Sequence, residues 1–196
     1  MSRFTPVTAK VVELLKQKAR KLKTETNISH VKALDEVAKQ LKFDHWHHVC
    51  EQHKLIEPTE TAFFTGLIIA FDIKDALEFD DSDGLFLLHE DDVAAYFCYD
   101  DLLREFSESI DDDGIALKAL KSKEDIIEEF ELYEINDYGF LRFTGCALPN
   151  SLDDVLRLVS ERSFWPPIYV WFKGTFYDTF SQPALSENGE IVGVRF

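Results

Sequence analysis

The sequence predicts an α+β protein, with an N-terminal three-helix module followed by an antiparallel-sheet α+β domain. Apolar residues recur at helical spacing through residues 1–54, whereas residues 61–196 hold short Phe-, Ile- and Val-rich segments bounded by turn residues. Charge divides at the same place. Residues 1–54 carry 11 Lys and Arg against 6 Asp and Glu (11 − 6 = +5), and residues 55–196 carry 10 against 31 (10 − 31 = −21). We therefore divide the chain into a basic helical module at 1–54, a linker at 55–60 and an acidic body at 61–196.

The first helix is predicted to begin at Thr5-Pro6, because Thr is a suitable N-cap and Pro suits the first helical position. Apolar residues at spacings of three and four then form one stripe along the helix: Val12, Leu15, Ala19 and Leu22. Lysines occupy much of the remaining circumference, so this helix should present a basic surface.

Two shorter helices should complete the module. Ser29 can cap the second helix and Asp44 the third. In the second helix, Asp35 and Lys39 stand at i and i+4 on the outer side. The residues predicted to be buried are Leu34, Val37, Ala38, Leu41, Phe43, Trp46, Val49 and Cys50. Because so short a module encloses only a thin core, its two large aromatic residues should contribute most of the buried area.

One stretch of the module carries a family resemblance: Ile28-Ser29-His30-x-x-Ala33-Leu34-x-x-Val37-Ala38-x-x-Leu41-x-Phe43-x-x-Trp46. It resembles the small helical module of bacterial proteins labelled glyoxalase-related, many of them encoded on mobile elements, and it covers residues 8–52. The family usually has Gly where this chain has Lys42, which requires either a left-handed lysine or a different turn. Glyoxalase enzymes are built of paired βαβββ units that hold a metal with His and Glu. Residues 55–196 contain one histidine, His89, and no such paired unit, so we expect no glyoxalase activity.

The same segment loosely resembles a helix-turn-helix, with Ala38 at the close-packing position and residues 45–53 as the helix that would enter the groove. Basic and imidazole side chains around the turn could then contact phosphates or a protein partner: Lys32, Lys39, Lys42, His45, His47 and His48. The alternative is an ordinary solvated helical surface. No metal site is predicted, because only the pairs His45/His48 and Cys50/His53 have the i,i+3 spacing that lets two side chains share a metal.

The acidic body shows seven segments with strand character and two with helix character. The predicted strands are 63–72, 84–89, 93–98, 126–135, 140–145, 168–176 and 191–196. The predicted helices are 99–109 and 151–163, the second capped by Ser151 with Asp154, and residues 117–120 are ambiguous. Turns at residues 136–139 and at Asn188-Gly189 predict hairpins, which favours an antiparallel sheet.

Two acidic turns partly match a calcium loop. With Gly84 at loop position 6, the twelfth position is Glu90, but Phe79 at the first position cannot bind a cation. The turn at residues 111–114 fails as well, because its twelfth position is Leu120. We predict no metal, no cofactor and no catalytic residue. The rigid aromatic turn Trp165-Pro166-Pro167 is a candidate surface for a partner.

Composition limits the class of protein. A chain of 196 residues with 45% hydrophobic residues and 17 Phe must bury an aromatic-rich core. A net charge of −16 argues against non-specific DNA binding by the whole molecule and against binding to anionic lipid. Three cysteines without paired spacing indicate a reducing compartment, and no signal peptide or membrane-spanning segment is expected, which predicts a cytoplasmic protein.

These observations favour a non-enzymatic bacterial binding or regulatory protein. Its helical module would contact nucleic acid or protein, and its acidic body would contact a basic protein partner or a second copy of the chain. Two alternatives stay open. The acidic body could mimic the phosphate surface of a nucleic acid and inhibit a protein that binds one, or the chain could be an enzyme with a pocket that its sequence does not reveal.

Overall fold

The computed structural model describes residues 6–89, 92–186 and 188–195, and the chain forms two compact units, Met1–Glu60 and Thr61–Phe196. The first unit, the helical module, contains α1 (Ala9–Thr26), α2 (His30–Gln40) and most of α3 (Trp46–Thr65). The second unit, the body, combines an antiparallel sheet with helices. The α+β prediction is therefore confirmed.

Helix α1 begins at Ala9 rather than at Pro6, because the Thr8 hydroxyl accepts a hydrogen bond from the Val11 N–H and caps the helix there. Thr5, the predicted cap, lies outside the described residues. The predicted stripe of α1 lies on the module core, as do Val37 and Ala38 of α2. Leu41 was expected in that core but is exposed, since α2 has already ended at Gln40.

Residues 55–60, predicted as a linker, are helical and belong to α3 despite Pro58. A proline inside a helix removes one backbone hydrogen bond and costs about 3 kcal/mol. Burial of the Ile56 side chain offsets part of this cost. Both carboxylate oxygens of Glu60 also accept hydrogen bonds from the Ala9 N–H, at 2.9 and 3.2 Å, and so bind this part of α3 to the start of α1.

The body is built on a five-stranded sheet in the order β2-β3-β1-β4-β5, with every pair antiparallel. Its strands are β1 (Leu67–Asp72), β2 (Phe86–Leu88), β3 (Tyr138–Phe143), β4 (Tyr169–Phe172) and β5 (Thr175–Asp178). A separate two-stranded ribbon follows, formed by β6 (Ala184–Leu185) and β7 (Ile191–Gly193). The central strand β1 is buried along almost its whole length.

Helices cover both faces of the five-stranded sheet. Leu67, Ile69 and Phe71 of β1 face α4 (Ile73–Leu77) and α8 (Leu152–Ser160). The alternate residues Ile68 and Ala70 face α5 (Val93–Glu108) and α7 (Lys123–Leu132). Between these two helices lies the short α6 (Leu117–Leu120), and a 3-10 turn (Glu134–Asp137) precedes β3. The body is therefore a three-layer arrangement with one hydrophobic core on each side of the sheet.

Two predicted strands are helices. Residues 93–98 begin α5, and residues 126–135 form the end of α7 and the following 3-10 turn. The apolar residues of α5 have helical spacing, because Ala94, Cys98 and Leu102 recur every four residues and face the sheet together. Consequently the hairpin predicted at residues 136–139 does not form, and β3 pairs with β1 and β2 instead.

Predicted boundaries changed at two further places. Residues 63–65 of the first predicted strand are the end of α3, so β1 starts at Leu67. Residues 168–176 form two strands rather than one, because Lys173 and Gly174 take φ values of 52° and 75° and turn β4 back onto β5. The Asn188-Gly189 turn is confirmed, with Gly189 at φ 79° between β6 and β7.

Candidate interaction surfaces

In the turn between α2 and α3, Lys42 adopts the left-handed conformation, which was one of the two alternatives predicted for this position. Lys42 has φ 67°; its N–H donates to the Lys39 carbonyl, and the Phe43 N–H donates to the Ala38 carbonyl. These two bonds form a Schellman motif, in which glycine is usual at the left-handed position. The chain therefore keeps this turn at the cost of a strained lysine.

Helix α3 is capped by residues other than the predicted Asp44. The Trp46 N–H donates to Asp35 Oδ1 at 2.9 Å, and the His48 N–H donates to the ring Nδ1 of His45 at 3.1 Å. Asp35 is thus used at this helix start, and Lys39 pairs with Glu36 rather than with Asp35. Because His45 Nδ1 accepts a hydrogen bond, the neutral ring must hold its proton on Nε2.

Three of the predicted contact residues of the module lie beside carboxylates. Lys39 Nζ is 3.1 Å from Glu36, His47 Nε2 is 3.0 Å from Glu51, and His48 Nδ1 is 3.8 Å from Asp44. The six predicted residues are exposed except for His48, which is half-buried: Lys32, Lys39, Lys42, His45, His47 and His48. Over Met1–Glu60 the formal charge is only 11 − 8 = +3. The module therefore presents a weakly basic surface in which positive and negative groups alternate.

The aromatic turn Trp165-Pro166-Pro167 is mostly occupied within the body. Pro167 is buried and its carbonyl accepts a hydrogen bond from the Thr179 hydroxyl at 2.7 Å, while the Pro166 carbonyl accepts one from Arg195 at 2.8 Å. The Arg195 guanidinium also lies over the Trp165 ring, 5.2 Å from its centroid. The exposed aromatic side chain of this segment is the preceding residue, Phe164.

Acidic residues concentrate on the helical layer that contains α5, α6 and α7. Residues 100–137 hold 4 Lys and Arg against 14 Asp and Glu, a formal charge of 4 − 14 = −10. Three of these cations pair locally, since Arg104 contacts Asp101 and Glu105, Lys118 contacts Glu108, and Lys121 contacts Glu129. Several of the other carboxylates accept hydrogen bonds from neighbouring groups, but the layer as a whole keeps a large excess of negative charge that can attract a basic partner.

A tight loop projects from this layer between α5 and α6. Asp111 Oδ1 accepts hydrogen bonds from the Asp113 N–H (3.0 Å) and the Ile115 N–H (2.8 Å), and the Asp111 N–H donates to the Ile115 carbonyl (3.0 Å). Ile110 bridges to Ala116 as in a short antiparallel ladder. These bonds fix the loop in one conformation although it lies at the surface.

This loop presents apolar side chains among carboxylates. Ile110 is 70% exposed and Ile115 is 43% exposed, and the exposed Asp112 and Asp113 lie between them in sequence. We name Ile110, Ile115 and these two aspartates the acidic knob. Residue-by-residue inspection of the sequence missed it, although an Asp-Asp-Asp-Gly turn with isoleucine on both sides is a detectable signal. An ordered apolar protrusion with a charged rim has the composition of a protein-docking site.

Features that would indicate metal or redox chemistry do not come together in the described ranges. No group of three or more metal-ligating side chains occurs there. In the incomplete calcium loop, Asp83 pairs with Arg162 and Asp80 accepts a hydrogen bond from the Ser82 N–H, while Glu90 lies outside the described residues. Burial raises the pKa of the Cys98 thiol, which makes it a poor nucleophile.

The body also has an open groove of about 440 Å³ beside α8. Its lining includes the apolar residues Leu85, Phe143 and Leu158, and two of its charged residues, Asp154 and Arg157, pair with each other. The residues that line it include neither histidine nor lysine. Its lining does include one exposed free thiol, Cys146.

Comparison with known proteins adds no relative: no protein family, no curated protein and no solved structure matches this chain. Within the described part of the chain, no helix is both long enough and apolar enough to cross a membrane. The interpretation of function therefore depends on the surfaces described above.

Proposed function

We propose that this protein is a non-enzymatic binding protein whose body docks onto a basic protein partner through the acidic knob. The observation that carries the proposal is the knob itself, in which a hydrogen-bonded loop holds Ile110 and Ile115 in solvent beside Asp112 and Asp113. Its position on a layer with a formal charge of −10 supports a partner of opposite charge.

The two kinds of group in the knob would act differently. Burying one isoleucine side chain in a partner contributes about 1.5–3 kcal/mol to the affinity. The surrounding carboxylates raise the rate of association with a basic partner, and salt screens that effect. Because the loop is already ordered, binding does not have to restrict its conformation, which lowers the entropic cost.

The test begins with capture from the source cell, comparing the full chain with the variants Ile110→Asp and Asp112→Lys/Asp113→Lys. Leu87→Asp is the matched control, since Leu87 is 47% exposed on the edge strand β2. A protein retained by the wild type and the control is then purified, and its binding is measured directly. Ile110→Asp should weaken binding at least tenfold, and the double lysine variant should slow association and reduce its salt dependence.

Equal binding by all variants, or a captured partner without basic character, would refute docking through the knob. The mimic interpretation would instead be supported if the captured protein binds nucleic acid and if added nucleic acid displaces it from this chain. That result would change the role of the carboxylates from steering to competition.

A second candidate function, nucleic-acid binding by the helical module, is favoured by the α2–α3 turn. The Schellman motif joins the two helices closely and leaves Lys42 and His45 exposed at the turn, while Lys32 is exposed in the first turn of α2. We also retain as a proposal the relationship of residues 8–52 to the module of glyoxalase-related proteins. Fluorescence anisotropy of a labelled DNA duplex at low salt tests binding by the full chain. Lys42→Gln should weaken it, whereas Lys10→Gln, on the exposed side of α1, should not.

A further inference from the structure

The C-terminal ribbon of β6 and β7 exposes a row of apolar side chains. Ala184 is buried, and Gly193, its partner in the ribbon, packs so closely on Trp165 that an added Cβ would lie 3.0 Å from the ring. Because successive residues of a strand point to opposite faces, Val192 and Val194 point away from Trp165. Both are about half exposed, at 50% and 46%.

The ribbon is firmly held in this position. Arg195 donates to Asp75 Oδ2 at 2.9 Å and to the Pro166 carbonyl at 2.8 Å, and it covers the Trp165 ring. At the other end, the Ser186 N–H donates to the Glu190 carbonyl and closes the turn. The exposed face with Val192 and Val194 is thus an ordered surface.

The ribbon also leaves a strand edge open. Among the described residues β7 pairs with β6 alone, so alternate N–H and C=O groups of β7 have no strand partner on the other side. An exposed strand edge is a template for pairing with another chain. Antiparallel pairing of β7 with the same strand of a second molecule obeys a two-fold axis, since each copy offers the same groups to the other.

Local charge favours a second copy of the chain as the occupant. Residues 164–196 carry 2 Lys and Arg against 3 Asp and Glu (2 − 3 = −1), whereas residues 61–163 carry 8 against 26 (8 − 26 = −18). Two copies of a chain with net charge −16 repel each other, and this repulsion is weakest where the nearly neutral segments meet. A basic partner would gain more from the acidic layer than from this face.

We propose that two copies of this chain associate through the open edge of β7, with β7 paired antiparallel to β7 and with Val192 and Val194 of the two copies adjacent on the outward face. The proposal is independent of the acidic knob, which lies on a different layer of the body. Salt should strengthen this association, because it screens the repulsion between the two acidic molecules. Salt should weaken the binding of a basic partner, so the two surfaces are distinguishable by one titration.

The test is sedimentation velocity on the full chain over a wide range of concentrations and at low and high salt. We expect a concentration-dependent species of twice the 22.7 kDa chain mass, more abundant at high salt. Val192→Asp and Val192→Lys should each abolish it, although they change the net charge in opposite directions. The control Leu87→Asp, on a strand edge of similar exposure, should leave it unchanged.

Circular dichroism of each variant establishes that the body is folded. The isosteric Val192→Thr variant provides a second measurement if either charged variant unfolds, and it should weaken association without abolishing it. A chain that is monomeric at every concentration and salt level would overturn the proposal. So would a dimer that survives both charged substitutions, because it must use a different surface.

Discussion

The contact between Trp171 and Asp101 holds the acidic helical layer on the sheet, and its removal gives a sharp stability prediction. Trp171 of β4 is 1% exposed, and its indole N–H donates to Asp101 Oδ2 of α5 at 2.9 Å. Asp101→Ala leaves this buried donor without an acceptor. Hydrogen bonds to charged groups contribute about 1.5–3 kcal/mol, so we expect the free energy of unfolding of the body to fall by about 2 kcal/mol.

Two other substitutions separate the possible causes. Asp101→Asn keeps an oxygen that can accept the indole N–H and should lose about half as much. Asp100→Ala removes a neighbouring exposed carboxylate and should change the unfolding free energy by less than about 0.5 kcal/mol. The exposed ion pair between Asp101 and Arg104 adds at most about 1 kcal/mol to the Ala effect.

Urea unfolding measures these differences. A Trp46→Phe background places all tryptophan fluorescence in the body, on Trp165 and Trp171. The transition midpoint should shift while its slope stays constant, since the surface exposed on unfolding is unchanged. If Asp100→Ala and Asp101→Ala prove equally destabilising, the indole hydrogen bond does not support the layer and the argument fails.

Three further predictions concern the turn, the tyrosines and the knob. Lys42→Gly should raise the free energy of unfolding of the module by about 0.5–1 kcal/mol, because glycine adopts φ 67° without strain. Burial raises the pKa of Tyr169 to about 12 and that of Tyr138 well above its ordinary value. The folded body therefore keeps protons that the unfolded chain loses, and its stability should be constant below about pH 10 and fall between about pH 10 and 12. Asp111→Ala should increase the hydrogen-exchange rate of the Ile115 amide at least tenfold, since that N–H donates to the lost carboxylate.

Each of these has a matched control. Leu41→Gly, one residue before the left-handed position, should destabilise the module. If it stabilised the module instead, the effect of Lys42→Gly could not be attributed to the positive φ of Lys42. The double substitution Tyr138→Phe/Tyr169→Phe should reduce the fall in the free energy of unfolding above about pH 10. Tyr133→Phe, at an exposed tyrosine, is the comparison. Asp112→Ala should leave amide exchange in the loop unchanged. If it acts like Asp111→Ala, the loop is not fixed by a single carboxylate.

Local signals in the sequence were sufficient where the structure depends on neighbouring residues. Ser29 and Ser151 cap α2 and α8 as predicted, because a side-chain oxygen satisfies an N–H within three residues in any tertiary context. Asn188-Gly189 likewise forms its turn, since glycine takes the positive φ directly. The charge division and the helical module were also evident without coordinates.

Residues 93–98 and 126–135 show where local signals were ambiguous. Both segments are short and rich in apolar residues, and such runs fit a strand or a buried helix equally well. Their state was decided by the sheet, whose face accepts Cys98, Leu102 and Phe130 from helices that lie across it. Pro58 is the converse case, because burial of Ile56 and the hydrogen bonds from the Ala9 N–H to Glu60 together support a helix through a residue that by itself predicts a break.

The candidate surfaces divide in the same way. Composition and spacing were enough to predict a helical module with lysines and histidines around one turn, followed by an acidic, aromatic-rich body. Only the tertiary structure showed that Pro167 is buried, that Ile110 and Ile115 are exposed, and that Val192 points outward. The reason is that composition and periodicity report how hydrophobic a segment is. Which of its side chains remain in contact with water depends on the strands and helices that other parts of the chain pack against it.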